Sequence, residues 1–390
     1  MHVAYVCADP GVPVFGTKGS SVHVQEIVRA WRNTGADVTV YCARLGTACP
    51  ADLEDLHVVE INPAPADGRA RERAVEDAAV ALTDRILRDG CSLAYERYSL
   101  FSPALSIVSG ILAVPTILEV NAPLIEEQQL YRQLTGVKAA ESVLRRNAGA
   151  ADVVACVSEP VLGWVRQRVP GASTVLAPNG VNTGRIAARP TGRGNPDHLT
   201  VAFVGTLKPW HGVPFLLEAA ARANTTAGRP QDRWRVRIIG DGPARARLEH
   251  LASFLGVDTE FTGAVAPAAV PGLLHECDAA AAPYPLAETG GDDYFSPLKV
   301  YEYMAAAMPV IASNVGQIPT ILDHGRTAIL VPASEPDALA SALTRLAADP
   351  DLRDRLGIQA REDAVRRFSW DGVLARITAA LPAQPKAAHP

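Results

Sequence analysis

Residues 296–302, Ser-Pro-Leu-Lys-Val-Tyr-Glu, put an ammonium and a carboxylate three positions apart at the start of an expected helix. Pro297 is tolerated there because the first helical N–H has no partner to lose. The free amides near Ser296, Leu298 and Lys299, with the Lys299 ammonium, suit a diphosphate, while Glu302 suits the two vicinal hydroxyls of a ribose. From this segment alone, a capped helix with Glu302 on its solvated side fits equally well. Residues 204–212, VGTLKPWHG, add Lys208 as a diphosphate donor and His211 as a second candidate. Gly205 and Thr206 precede them, Gly212 opens the next helix, and Trp210 is expected to pack. Residues 238–243, IIGDGP, carry Gly240 and Gly242, half of a dinucleotide fingerprint; Arg245 holds the third glycine position, so a hydride-transfer reading is weak. In residues 11–21, GVPVFGTKGSS, Gly16 and Gly19 allow close backbone approach before a helix N-terminus, and His23 follows in its first turn. A lone histidine there is more often structural than catalytic.

These loops need strands to hold them. Strand-length apolar runs occur at 3–8, 38–42, 93–95, 116–120, 152–157 and 174–177, with helical spacing between them; Val24, Ile27, Val28 and Trp31 show it first. A second series runs through 200–204, 236–240, 259–262, 310–312 and 328–331. Strand, helix, strand with short connections implies right-handed crossovers and parallel sheets. Between the series, residues 185–198 are polar, aperiodic and rich in Pro and Gly, as a linker should be. The expected fold is α/β, two doubly wound Rossmann-like domains with a cleft between them. Residues 1–190 and 191–370 form the domains, and 371–390 return to the first and end in a frayed tail. Ligands in such sheets bind beyond the carboxyl ends of the strands, where all four loops lie.

The 390 residues exceed one ordinary core and fit two. A composition 48% hydrophobic and 20% charged is globular, and a net charge of −5 disfavours nucleic acid as a partner. Six cysteines without a CxxC read as reduced, packed thiols. The start, MHVAYVCADP, reads as a first strand instead of a signal peptide, and no apolar run nears the ~20 residues of a membrane span, so a cytoplasmic location is expected.

With these motifs in place, the chain resembles family 4 of the retaining glycosyltransferases, whose GT-B fold has two facing Rossmann-like domains. The resemblance rests on residues 11–24, YERYSLFS at 95–102, LEVNAPL at 118–124, VSEPV at 157–161 and PNGVN at 178–182. It continues through VGTLKPWHG, IIGDGP, FTGAV at 261–265 and SPLKVYEYMAAAMPVIAS at 296–313. It implies a nucleotide-sugar donor on the second domain, along the loops named above and near Gly263 and Val265, and an acceptor on the first. The family's two glutamates, with seven residues between them, map to Tyr294 and Glu302, so the first is missing; Glu288, Asp292 or Asp293 could replace it. The family's Arg and Lys after the first strand of the second domain map to Thr206 and His211. Lys208 and Lys299 are expected to restore that charge, because a diphosphate leaving group needs cations nearby. The family's histidine in the first domain falls in the stretch Leu118, Glu119, Val120, Asn121, so Glu119 or Asn121 becomes the expected neighbour of the transferred sugar.

Similar enzymes retain configuration by front-face substitution with no metal and no cofactor beyond the donor, and no strand here ends in a DxD pair. Catalysis would then be positioning and stabilisation of departing charge. An epimerase of the same fold, acting without acceptor, and a nucleotide-sugar sensor are the competing readings. Glu96, Arg97, Glu126 and Glu127 join Glu119 as candidate acceptor contacts, and the acidic bias favours a cationic acceptor, although Glu126 and Glu127 could simply complement a helix start. Residues 9–25 also resemble actinomycete glycosyltransferases of aminoglycoside biosynthesis. That implies UDP-glucose or UDP-N-acetylglucosamine as donor and an aminocyclitol such as 2-deoxystreptamine as acceptor. A cell-surface polysaccharide or an inositol-type acceptor is the alternative.

Overall fold

The structure, a computed structural model, describes residues 1–131, 133–190, 197–286 and 294–383. Two compact units divide the chain: Met1–Asn179 with Tyr294–Ser296 and Trp370–Pro390, and Gly180–Asp293 with Pro297–Ser369. The division falls at 179/180, ahead of the polar 185–198 stretch expected as linker.

The first unit holds seven parallel strands: β1 (His2–Cys7), β2 (Asp37–Cys42), β3 (His57–Glu60), β4 (Leu93–Arg97), β5 (Thr116–Val120), β6 (Val153–Cys156) and β7 (Thr174–Leu176). Their order is β3-β2-β1-β4-β5-β6-β7. The chain winds outward from β1 in one direction and then returns to β4 on its other side, so the switch point lies between β1 and β4. The second unit repeats this with β8 (Leu199–Val204), β9 (Trp234–Ile239), β10 (Thr259–Gly263), β11 (Ala279–Ala282), β12 (Val310–Ser313) and β13 (Ala328–Val331). The order β10-β9-β8-β11-β12-β13 places its switch point between β8 and β11.

Both sheets are buried on two faces, which is why their central strands are apolar without alternation. Alternation still decides which helix each side chain meets. In β5, Leu118 and Val120 enter the core formed with Ala4, Val6, Val154 and Leu144. Ile117 and Glu119 therefore point to the opposite face, where the helix Gly19–Asn33 lies. Trp31 of that helix crosses Tyr95 edge-on at 6.2 Å, and Tyr95 stacks on Tyr5 at 5.3 Å. The helix Trp370–Ala379 packs against the same helix, with Asn33 Nδ2 donating to Asp371 at 3.0 Å. In the second unit Trp234 is buried and its indole N–H donates to Leu343 O at 3.1 Å, so burial of its ring, worth about 3 kcal/mol, leaves no polar atom stranded.

Candidate functional site

In the second unit, Phe203 on β8, the loop 205–212 that follows, and Tyr284 after β11 surround one buried ammonium. Lys299, from the first turn of the helix Leu298–Ala305, sits with Nζ 3.9 Å from the Phe203 ring centroid and 5.0 Å from that of Tyr284. Among the described residues no hydrogen-bond acceptor reaches Nζ. Burial pushes its pKa down to about 7, against the upward pull of Glu302 one turn along the helix. The loops after β8 and β11 touch at Gly212, where φ is 71° and a Cβ would lie 1.6 Å from Pro283 O, so only glycine fits.

His211 takes a different role from the one expected. Its Nδ1 stands 2.5 Å from Thr206 O, which can only accept, so the ring proton is on Nδ1 and Nε2 is bare. Burial, with the charges of Lys299 and Lys208 beside it, drives its pKa to about 3. A neutral imidazole with an unprotonated Nε2 cannot donate to a phosphate. Trp210, expected to pack, is 44% exposed and carries the Lys208 ammonium over its ring at 4.7 Å. Gly240 and Gly242 pack closely against the neighbouring loop. A Cβ on Gly240 would fall 2.1 Å from Gly205 O, and one on Gly242 2.6 Å from the Leu207 backbone. Leu207 N donates to Asp241 O at 2.9 Å across the same seam. Gly263 and Val265 lie at the carboxyl end of the edge strand β10, and Arg245 pairs with Asp241 at 3.1 Å.

A second cluster forms in the first unit. Register pairs Arg97 with Glu119 across β4 and β5. Glu119 Oε1 accepts from His23 Nε2 at 2.5 Å and from Tyr95 OH at 2.9 Å, while Oε2 lies 3.8 Å from Arg97. Burial alone would raise the Glu119 pKa, but His23, Arg97 and the Tyr95 hydroxyl bring it down to about 2. His23 Nδ1 meets Asn179 Oδ1 at 2.8 Å, and the Asn179 amide is fixed by Nδ2 donating to Ser296 O at 2.8 Å. Both ring nitrogens thus face side-chain oxygens of the cluster. Asn179 N also donates to Ser296 Oγ at 3.0 Å, and Ser158 Oγ donates to Tyr294 O at 2.7 Å. Sequence reasoning missed Asn179 and Ser158 as supports of the segment 294–296, and Phe203 and Tyr284 as walls around Lys299; their loop positions were the available signal.

The expected acceptor carboxylates scatter. Glu96 is wholly buried on the other side of β4, where Oε2 accepts from Leu105 N at 2.8 Å and caps the helix Ala104–Leu112. Glu126 pairs with Arg168 and accepts from Trp164 Nε1 at 2.8 Å, leaving Glu127 half-buried beside it. Asn121 Nδ2 is buried without a hydrogen-bond partner just beyond β5. Gly16 lies against Ser21 and Pro13, and Gly19 is exposed as the first residue of its helix. Glu288, Asp292 and Asp293 lie outside the described residues. Among the described residues no cluster of three or more His, Cys, Asp or Glu is placed to hold a metal, and no helix is long and apolar enough to cross a membrane.

Residues 17–185 match the family described as Glycosyltransferase Family 4, and residues 198–349 match Glycosyl transferases group 1. Both matches are to glycosyltransferases, one in each half of the chain, and the chain is a glycosyltransferase. It is 31% identical over 252 residues, 61% of its length, to the GDP-mannose-dependent alpha-(1-6)-phosphatidylinositol monomannoside mannosyltransferase of Mycobacterium tuberculosis, of which it spans 63%. It is 28% identical to the D-inositol 3-phosphate glycosyltransferase of Kribbella flavida, with 90% of this chain and 88% of that one covered. Among solved structures this glycosyltransferase chain matches sucrose-phosphate synthase from Thermosynechococcus elongatus with a TM-score of 0.75, 20% identity and 97% and 98% coverage. Anabaena HepE in complex with UDP and glucose matches at 0.71, with 18% identity and 98% and 99% coverage. These likenesses show a GT-B fold, two parallel-sheet Rossmann-like domains.

Proposed function

We propose that this glycosyltransferase chain moves a hexosyl group from a nucleoside diphosphate to a ring hydroxyl of a small cyclitol, with retention of configuration. Lys299 carries the reading. A buried ammonium with no acceptor among the described residues, at the carboxyl end of β8 beside the unit's switch point, is a place for phosphate oxygens. Glu302, one turn further along the helix, is assigned the ribose hydroxyls in this reading. In the transfer, the acceptor oxygen bonds to the anomeric carbon as its bond to the diphosphate breaks. The hydroxyl proton passes to the departing phosphate oxygen on the same face. Lys299 and Lys208 stabilise the charge that develops there.

Relatives named for inositol 3-phosphate and phosphatidylinositol monomannoside support a cyclitol ring as acceptor. Arg97, Glu119 and Asn121 at the ends of β4 and β5 offer donors and an acceptor of the kind a polyol needs. The aminocyclitol reading, with UDP-glucose or UDP-N-acetylglucosamine as donor, drew on an acidic surplus. Glu96 and Glu126 have other partners, and Glu119 is matched by His23 and Arg97, so an inositol-type ring is favoured. The test incubates the protein with UDP-glucose, UDP-N-acetylglucosamine or GDP-mannose, alone or with myo-inositol, inositol 3-phosphate or 2-deoxystreptamine, and reads products by mass spectrometry. A hexosylated inositol is expected. Product with 2-deoxystreptamine alone overturns the acceptor, and donor converted to an epimer without acceptor overturns the transfer.

A further inference from the structure

Among the described residues, none of the groups placed around Lys299 accepts a hydrogen bond from it. The Phe203 and Tyr284 rings attract a cation by their faces but accept no strong hydrogen bond. Gly205 backs it closely enough that a Cβ there would stand 3.2 Å from Nζ. His211, held by Thr206 O, brings no negative charge, and Lys208 on the same loop adds a positive one. The Tyr303 hydroxyl is turned to Val204 N, which donates to it at 2.8 Å. Among the described residues Glu302 is the anion that acts on it, but it makes no hydrogen bond to Nζ. A buried ammonium in such a place costs several kcal/mol, and an amine relieves that cost by giving up its proton. The diphosphate of a nucleotide sugar supplies the two missing things, negative charge and acceptor oxygens.

We propose that Lys299 takes a proton from solvent as the donor's diphosphate binds, so that donor binding is coupled to proton uptake. The Nζ lone pair forms the new N–H bond, the buffer acid loses that proton, and the ammonium then donates to phosphate oxygens. The inference rests on the reading above that Lys299 faces the diphosphate. It gives the binding site a pH dependence that the ligands themselves lack: affinity falls as pH rises through about 7, where the free site loses its charge. At pH 6 the proton is already present and no uptake is left to measure.

Titration calorimetry with UDP-glucose and GDP-mannose tests this, since neither ligand has a group titrating between pH 6 and 8. Binding heats are compared in phosphate, HEPES and Tris, whose ionisation enthalpies differ. At pH 8 the observed heat should vary with buffer enthalpy with a slope approaching about one proton taken up, and at pH 6 the slope should be near zero. Lys299→Arg, whose guanidinium stays charged, should bind with no slope at either pH. Wild-type binding with zero slope at pH 8 overturns the proposal, as does a slope that survives in Lys299→Arg. Failure to bind any nucleotide sugar removes the donor reading itself, an outcome distinct from both.

Discussion

His23 Nε2 lies 2.5 Å from Glu119 Oε1, in a pair whose side chains are each only 4% exposed. The contact joins the first turns of one helix to the end of β5, and it follows from pleat alternation. Had Glu119 been one residue earlier or later, it would have pointed into the apolar core with Leu118 and Val120.

Replacing Glu119 by Gln removes the anion and leaves His23 and Arg97 facing a neutral amide. The expected loss is about 3 kcal/mol of stability in urea unfolding near pH 7, as for a broken buried pair. Unchanged stability with lost turnover would instead mark Glu119 as purely catalytic.

Glu96 should titrate in the opposite sense. Burial raises its pKa from 4.5 to about 7, against the lowering effect of Ser102 and Leu105 N. The folded state therefore binds this proton more tightly than the unfolded chain. The stability it contributes is full below pH 4.5 and is lost as pH rises through about 7, an effect of order 3 kcal/mol. Glu96→Gln should gain on wild type in melting temperature as the pH goes from 5 to 8; a constant difference would show that the carboxyl is ionised throughout.

Glu302→Ala should raise KM for the donor and lower kcat with it, because a ribose released from its anchor also misplaces the diphosphate. Wild-type kinetics in this variant would remove the ribose assignment.

Lys208→Ala should reduce turnover ~10- to 1000-fold if its ammonium meets departing charge. Full activity would leave Lys299 as the cation that replaces the family's Arg and Lys at Thr206 and His211.

Activity should survive excess chelator, since lysines and amides are expected to meet the phosphate charge. Loss on chelation with recovery on adding a divalent ion would contradict it.

Much of this architecture was legible in the residues. Long apolar strands such as β1 and β8, each followed by a glycine loop and an amphipathic helix, fix both the parallel sheets and the loops that matter. β11 was not legible, because Ala279–Ala282 is four alanines, a run with helix preference. Its place between β8 and β12 overrides that preference, and the small side chains let helices approach the sheet. β3 escaped for another reason: His57–Glu60 is a short edge strand, partly exposed, with no periodic signal. Around the site, motif position singles out Lys299 and Glu302 as candidates, but it does not give the state of His211, which depends on a carbonyl five residues earlier. Glu96 and Glu119 look alike in sequence; only the strand face separates a helix cap from a charged cluster.

The segment Tyr294–Ser296 belongs to the first unit while the helix that begins at Leu298 belongs to the second. No single cut in the gene therefore yields either half whole. Recombination that exchanged the second half between relatives would carry along three residues shaped to hydrogen-bond with someone else's Ser158 and Asn179. Chimeras should succeed only where both sides of that seam come from one parent, so the two halves are expected to be inherited together.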